Sequence, residues 1–317
     1  MRDAAENFRV AILAALGTAP ELIEPGRIHR FSTSARASDK AGWCQLFEDG
    51  QAGIFGDFRS CMSSVWTAHR REPKSPAERS DLARQLARAK SQREAQQRQQ
   101  QADNAQRNAA LWAKTVPVTD GDPVSLYLRQ RGLAGPVPEH LHLHPRLTYW
   151  DGGDRGTYPA MIAPLIRPDG AVLALHRTYL TADGSKAPVP NVKKLTGAAG
   201  PLAGSCIPLH DPQVGVIGIA EGIETAQAAH LASRLPTVAA YCAGNLAAYI
   251  WPHSIRRIVV FADADPAGAA AAQSLKARAV RAGLSVAVIT PTTLGADWCD
   301  VWAQHAAVAI AAWETAA

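Results

Sequence analysis

The sequence predicts an α/β protein whose C-terminal part, residues 206–317, is a mainly parallel four-stranded sheet covered by helices. A small α+β subdomain (111–205) precedes it, and a helical linker (74–110) and a separate N-terminal α+β module (1–73) come first. Three observations carry this reading. From about residue 213, short apolar runs alternate with helix-like runs, the pattern of a parallel sheet buried on both faces. Residues 74–110 are poor in apolar side chains and full of Arg, Gln and Ala, good helix formers with no broad face to bury. Between these lie two apolar runs joined by Pro168-Asp169-Gly170, in which Pro presets φ and Gly supplies a positive one, as a hairpin turn requires.

The elements follow in order. A short helix-like start is followed by RIHRFS, GWCQLF and AGIFGDF, β-like pieces bounded by Gly, Asp and Ser. Ser75 or Ser80 is positioned to cap the linker helix. VSLYLRQRGL is a short helix ending at Gly132, and TYPAMIAPLIRPDGAVLALHRTYL is the hairpin. Then VGVIGIA (214–220), TVAAY (237–241), RRIVVFA (256–262) and SVAVIT (285–290) are strands. Helices are expected over GIETAQAAHLASR, NLAAYI and PAGAAAAQSLKARAVRAG, with an Ala-rich helix at the end.

Composition narrows the function classes. The 317 residues, 47% apolar, suffice for one large or two modest cores. No uncharged apolar run is long enough to span a bilayer, and MRDAAENFRV has no apolar core of a secretory signal. Five scattered cysteines without a C-x-x-C pair argue against a zinc ribbon or a disulfide framework and point to a reducing cytoplasm. A net charge of +5 favours a polyanionic partner. No G-x-x-x-x-G-K-[ST] occurs in these residues, so a fused P-loop helicase is not expected.

The chemistry-bearing residues stand at the strand ends. Open parallel sheets bind ligands beyond the carboxyl ends of their strands. The strand 214–220 runs into Glu221-Gly222, and 256–262 runs into Asp263-Ala264-Asp265. After 285–290 comes Gly-Ala-Asp297-Trp-Cys-Asp300. A parallel topology gathers these carboxylates on one rim. Crowded carboxylates must share protons, spread apart or take up cations, and Mg²⁺ or Mn²⁺ is the economical solution. Paired divalent ions on such a rim act on phosphoryl oxygens. The plain alternatives are that Asp265, just before Pro266, is an N-cap, and that Asp297 and Asp300 cap the last helix or lie in a solvated loop. Gly222 is expected to let another group approach the backbone closely.

IAEGIETA, followed about forty residues later by VVFADADPAG, resembles the Toprim domain, the Rossmann-like catalytic domain of bacterial-type primases, topoisomerases and some small nucleases. The likeness is strongest to the Toprim DNA primases of plasmids, phages and integrating elements, in which a smaller α+β subdomain precedes the Toprim domain. The resemblance implies a nucleotidyltransferase that makes short RNA primers on single-stranded DNA from ribonucleoside triphosphates, for replication of a mobile element. It implies that Glu221 acts in acid–base chemistry or binds metal, that Asp263 and Asp265 bind metal, and that Asp297 and Asp300 assist. A separate helicase or replication initiator is the expected partner; a membrane is not, and no zinc is expected. The same ions serve a Toprim nuclease equally well, and a non-catalytic nucleic-acid-binding accessory would retain the fold without turnover.

Cations that bind phosphate without neutralising metal ligands are expected opposite the acidic rim. Arg177 ends the hairpin, and Lys186, Lys193 and Lys194 follow in DGSKAPVPNVKKLTG, between the small subdomain and the Toprim region. Arg177 offers a two-pronged phosphate clamp and the lysines offer point charges; the alternative is surface lysines in a loop. Two lesser features are the imidazoles of HLHLHP (His140, His142, His144), which share one face of a strand and are either a transition-metal site or, as the plainer reading, solvated histidines, and the N-terminal aromatics Trp43, Phe47, Phe55 and Phe58. With Arg30, Arg36, Lys40 and Arg59 these aromatics form either a base-stacking surface or the core of the module.

Overall fold

The computed structural model describes residues 2–33, 41–57, 62–68, 76–151, 153–212 and 215–304. Two compact units divide the chain, residues 1–99 and 100–317. In the first, helix α1 (Arg2–Leu16) covers a four-stranded antiparallel sheet of β1 (Ile28–Phe31), β2 (Gly42–Leu46), β3 (Ala52–Asp57) and β4 (Met62–Thr67), in that spatial order. The fourth strand carries MSSVWT, a run not expected as a strand from the sequence. Phe8, Ile12, Phe31, Leu46 and Phe55 form the core, with Phe8 packed against Phe55 and Trp66. Trp43, Phe47 and Phe55 are buried, so these three are core and not a stacking surface. Phe58, Arg36, Lys40, Arg59 and Ser75 lie outside the described residues.

Helix α2 (Pro76–Trp112) is the long polar helix expected from the Arg/Gln-rich stretch. Its last turns enter the second unit's packing. Asn108, buried, donates to the carbonyl of Gly197 (3.0 Å), and Leu111 and Trp112 pack under the following sheet.

The second unit holds two five-stranded sheets. The first is ordered β5 (Val116–Pro117), β6 (His142–Asp151), β7 (Asp154–Ile166), β8 (Val172–Tyr179) and β9 (Lys193–Leu195), antiparallel throughout, with helix α3 (Pro123–Gln130) beside it. The β7–β8 connection is the Pro168-Asp169-Gly170 turn, closed by Gly170 N–H to the Arg167 carbonyl at 2.9 Å. Asp122 caps α3, accepting from the N–H groups of Val124 and Ser125 at 2.9 Å each. Two of the HLHLHP imidazoles are engaged within the fold: His142 stacks on Trp112 with ring centroids 4.3 Å apart, and buried His144 accepts from the Arg146 N–H.

The second sheet contains β10 (Ile207–Pro208), β11 (Val216–Ala220), β12 (Thr237–Ala239), β13 (Arg257–Phe261) and β14 (Ser285–Ile289). Helices α4 (Ile223–Ser233), α5 (Ala243–Ala248) and α6 (Pro266–Arg281) alternate with its strands, and residues 298–304 are helical. The order is β10-β12-β11-β13-β14. β11, β12, β13 and β14 are mutually parallel, as the sequence predicts. The fifth strand, β10, pairs antiparallel with β12 at the edge and is an addition to the four-stranded expectation. Being two residues long, it gives no periodicity to read.

Alternate residues of these strands face opposite ways. Ile217, Ile219, Ile258 and Val260 pack with Leu246, Ala272 and Leu275 of α5 and α6. Val259, Phe261 and Ala220 face α4 and the preceding sheet, meeting Tyr127, Leu143, Met161 and Leu180 in one continuous core. That shared core fixes the small subdomain over one side of the parallel sheet. The chain leaves β11 towards β12 on one side and leaves β13 towards β14 on the other. Adjacent strands β11 and β13 therefore flank a topological switch point, where such sheets open a crevice.

Candidate active site

Register sets the acidic residues side by side. Ala220 lies opposite Phe261, and Phe261 opposite Ile289. Glu221 follows β11 directly, and Asp263 follows β13 by two residues. The loop bearing Asp297 is tied to the D-A-D segment by its backbone: Ala264 N–H donates to the Ala296 carbonyl (3.0 Å) and Gly295 N–H to the Ala264 carbonyl (2.8 Å). The Trp298 ring stands edge-on to Phe261 at 5.9 Å, fixing the same loop.

Electrostatics report how close the carboxylates are. Burial, then the charges of Glu221, Asp297, Asp265 and Asp300 in that order, push the Asp263 carboxyl up to about 6. Burial and the Asp265 charge also raise Glu221, while the N–H of Ala243 partly offsets them. All five acidic side chains named from the sequence thus meet at one rim, with half-buried Asp263 at the centre. Its Oδ1 is buried without a hydrogen-bond partner. A buried, unpartnered anionic oxygen among other carboxylates is a donor set suited to a hard divalent cation. Among the described residues, no three His, Cys, Asp or Glu side chains are drawn together tightly enough to hold an ion as they stand, the arrangement mutual repulsion favours.

Several of these groups also build the local fold. Asp265 caps α6, accepting from the Gly268 N–H at 2.7 Å. Asp297 and Asp300 cap one another's backbone at the start of the helical segment 298–304. Asp300 N–H donates to Asp297 Oδ1 (2.8 Å) and Asp297 N–H to Asp300 Oδ2 (3.3 Å). The capping and ion-binding readings therefore coexist on the same residues.

The two glycines differ. Gly222 has an extended backbone, φ −96°, and a Cβ there would meet only ordinary contacts. The expected close approach is not present; Gly222 is simply the N-cap position of α4. Close approach occurs instead at Gly268, where a Cβ would lie 2.9 Å from the Asp263 carbonyl and 3.2 Å from its nitrogen. Gly268→Ala is expected to lose about 1–2 kcal/mol in urea denaturation, because backbone overlap outweighs the helical advantage of Ala. An Ala variant as stable as the parent would contradict this packing.

Opposite the acids is a cleft of about 360 Å³. Glu221, Asp263 and Asp297 line one wall; Tyr127, Arg131, His176, Lys186 and Lys193 line the other. Of the four cations expected there, Lys186 and Lys193 are present and Arg177 and Lys194 are not. Alternation along β8 and β9 explains this: Thr178 pairs with Lys193 on one face and Arg177 with Lys194 on the other. Arg177 is held by the Leu195 carbonyl (2.8 Å) and Tyr179, and Lys194 by the Trp150 carbonyl (2.6 Å) and Asp151 (3.5 Å). These two side chains therefore lie on the face of the sheet away from the cleft.

Three cleft residues escaped the sequence reading. Glu224, buried in the first turn of α4, receives Lys193 Nζ at 2.9 Å and the Tyr127 hydroxyl at 2.6 Å. Burial alone would raise its carboxyl, but the Lys193 charge and the two hydrogen bonds outweigh it and hold it at about 2. Arg131 ends α3 with its Nε buried and unpartnered and its Nη2 on Cys299 Sγ (3.4 Å). Tyr241 reaches the cleft with φ +63°, a strained conformation for a bulky side chain. The Glu and Arg lay in the quoted IAEGIETA and YLRQRGL motifs; only the contact between sheets marks them out.

Comparison with known proteins follows this division. Residues 102–206 match a domain of unknown function (DUF7146), and residues 216–307 match the Toprim domain. No curated protein matches the chain. Among solved structures, the chain is similar to the primase fragment of the bacteriophage T7 primase-helicase, with 16% identity and a TM-score of 0.36 over 58% of this chain and 67% of that one. It is similar to a DNA primase domain from Pseudomonas aeruginosa at 14% and 0.34, spanning 50% of this chain and about half (51%) of that one. Likeness to a DnaG primase catalytic domain bound to single-stranded DNA is 16% and 0.45, over 69% and 81%. The acidic rim thus belongs to a Toprim domain, carried by this chain at residues 216–307 behind a smaller antiparallel subdomain.

Proposed function

We propose that the protein is a DNA primase that joins ribonucleotides on single-stranded DNA by metal-dependent nucleotidyl transfer. One observation carries the reading: the orphaned Asp263 oxygen sits among four further carboxylates at a sheet switch point, with Arg131 and Lys186 across the cleft. Asp263 and Asp265, helped by Asp297 and Asp300, are the residues to hold Mg²⁺ or Mn²⁺, as a two-ion site. Bound there, such ions would activate the attacking oxygen and offset charge on the leaving one. Glu221, whose carboxyl holds its proton more tightly than usual, accepts the proton of the attacking 3′-hydroxyl. The hydroxyl oxygen bonds to the α-phosphorus of the incoming triphosphate, the bond to the β-phosphate oxygen breaks, and pyrophosphate leaves. The guanidinium of Arg131 and the ammonium of Lys186, both lining the cleft, seat the triphosphate. Lys193 is engaged by Glu224 and positions the wall.

Replication of a mobile element, a separate helicase or replication initiator and a cytoplasmic location belong to the same reading. They rest on the likeness of IAEGIETA and VVFADADPAG to primases of such elements. Among the described residues no helix is long and apolar enough to cross a membrane. The test is synthesis from labelled ribonucleotides. Short RNA should appear only with single-stranded template and Mg²⁺ or Mn²⁺. Degradation of a labelled strand without nucleotides, and no synthesis on any template, would replace this reading with a nuclease.

A further inference from the structure

We propose that the tip of the β6–β7 hairpin is a platform on which Trp150 stacks a base of a single strand of nucleic acid, with Arg155 beside it on the phosphate. The two faces of this hairpin differ sharply. On one, Leu147, Tyr149 and Ala160 are buried, and Tyr149 stands edge-on to Tyr158 and Tyr179 at centroid distances of 6.4 and 5.0 Å. On the other, Thr148, Trp150, Arg155 and Thr157 are exposed, and Trp150, 56% exposed, pairs directly with Arg155.

The exposed face is the cleft face. Alternation along β7 puts Arg155 and Thr157 on the side of Met161, which pairs with Thr178, which pairs with Lys193 in the cleft wall. Met161 lies six steps along the strand from Arg155, about 20 Å. A strand leaving the cleft across this face meets Lys193 first and Trp150 at the end.

The platform is also braced. Lys194 donates to the Trp150 carbonyl at 2.6 Å, and Asp151, the next residue, accepts from the Tyr149 hydroxyl (3.2 Å), from Asn191 and from Lys194. The buried Tyr149 and the partly exposed polar groups around it thus hold the backbone of a residue whose own ring stays in water. A flat indole accepts any base, and a neighbouring guanidinium takes the phosphate. These are the requirements for holding a strand without regard to sequence. The inference rests on the primase reading for the strand being a template.

The experiment is anisotropy of a fluorescein-labelled thymidine oligonucleotide of about 20 nucleotides, longer than one typical binding site. It uses the full chain without metal or nucleotides, over a salt series. Trp150→Ala should weaken binding about 5- to 20-fold with an unchanged salt slope, and Trp150→Phe should retain most of it. Arg155→Ala should reduce the log–log salt slope by about one. Thermal melts equal to the parent's exclude unfolding as the cause. Binding by Trp150→Ala within twofold of the parent, or no binding by the parent, overturns the platform. Failure of the primase reading shows separately: Trp150-dependent binding with no metal-dependent synthesis sinks the enzyme and leaves the platform, whereas synthesis with unaltered Trp150→Ala binding sinks the platform alone.

Discussion

Asp263→Asn is expected to abolish nucleotide transfer while making the metal-free protein more stable. The activity loss should be on the order of 10³-fold or more, the scale of removing one electrostatic group at a reacting centre. The stability gain follows from charge. In the fold this carboxyl is pushed up to about 6 from an ordinary 3.8, first by burial and then by Glu221, Asp297, Asp265 and Asp300. A raised carboxyl contributes stability below about pH 3.8, and that contribution is lost as pH rises through about 6. At pH 7 the ionised group therefore works against the fold. Its neutral amide isostere should recover about 1–2 kcal/mol after allowance for the half-exposed setting, or roughly 3–6 °C in melting temperature. The parent should close the gap when Mg²⁺ or Mn²⁺ is added, and the variant should respond little. A variant less stable than the metal-free parent at pH 7, or one that retains synthesis, would remove Asp263 from the centre of the site.

Lys193→Met is expected to destabilise the second unit by about 2 kcal/mol, a melting decrease of roughly 4–8 °C. The substitution leaves Glu224, 7% exposed at its side chain, without its cation. Removing one partner of a fully buried pair costs about 3–5 kcal/mol; the Lys193 side chain is 44% exposed, so water recovers part of it. Glu224→Gln in the same chain should restore most of the loss, since no charge then remains to be paired. The acid limb tests the same pair. Glu224 is held at about 2 against an ordinary 4.5, so its contribution is present above about 4.5 and disappears as pH falls through about 2. Glu224→Gln should flatten that limb. Equal melting of parent and Lys193→Met would show the ion pair to be ornamental.

The parallel sheet was legible because its four parallel strands are apolar runs each followed by a helix-like run, and the carboxylates fall just past the runs. Knowing the strands are parallel is enough to bring Glu221 and Asp263 together, although some forty residues separate them. The opposite wall was only half legible. On β9 two adjacent lysines differ by one step of the pleat, and that step sends Lys193 into the cleft and Lys194 behind it. Register and facing depend on the partner strand, which the local sequence does not name. Arg131 and Glu224 were hidden for a related reason. Each reads locally as a helix-end residue, and only the packing of one sheet over the other gives it a role. The short strands β5, β9 and β10 carry too few residues for alternation to register.

The double duty of the acidic side chains bears on ion preference. Asp265, Asp297 and Asp300 each commit one oxygen to a backbone N–H, and Glu221 is held by the amide of Ala243. On the proposed reading each offers an incoming ion a single oxygen instead of a chelating pair. Such a rim supplies few protein ligands and leaves the remaining coordination to water and the triphosphate. That economy suits magnesium, which is small and slow to shed its hydration, better than calcium, which wants six to eight oxygens in a roomy cage.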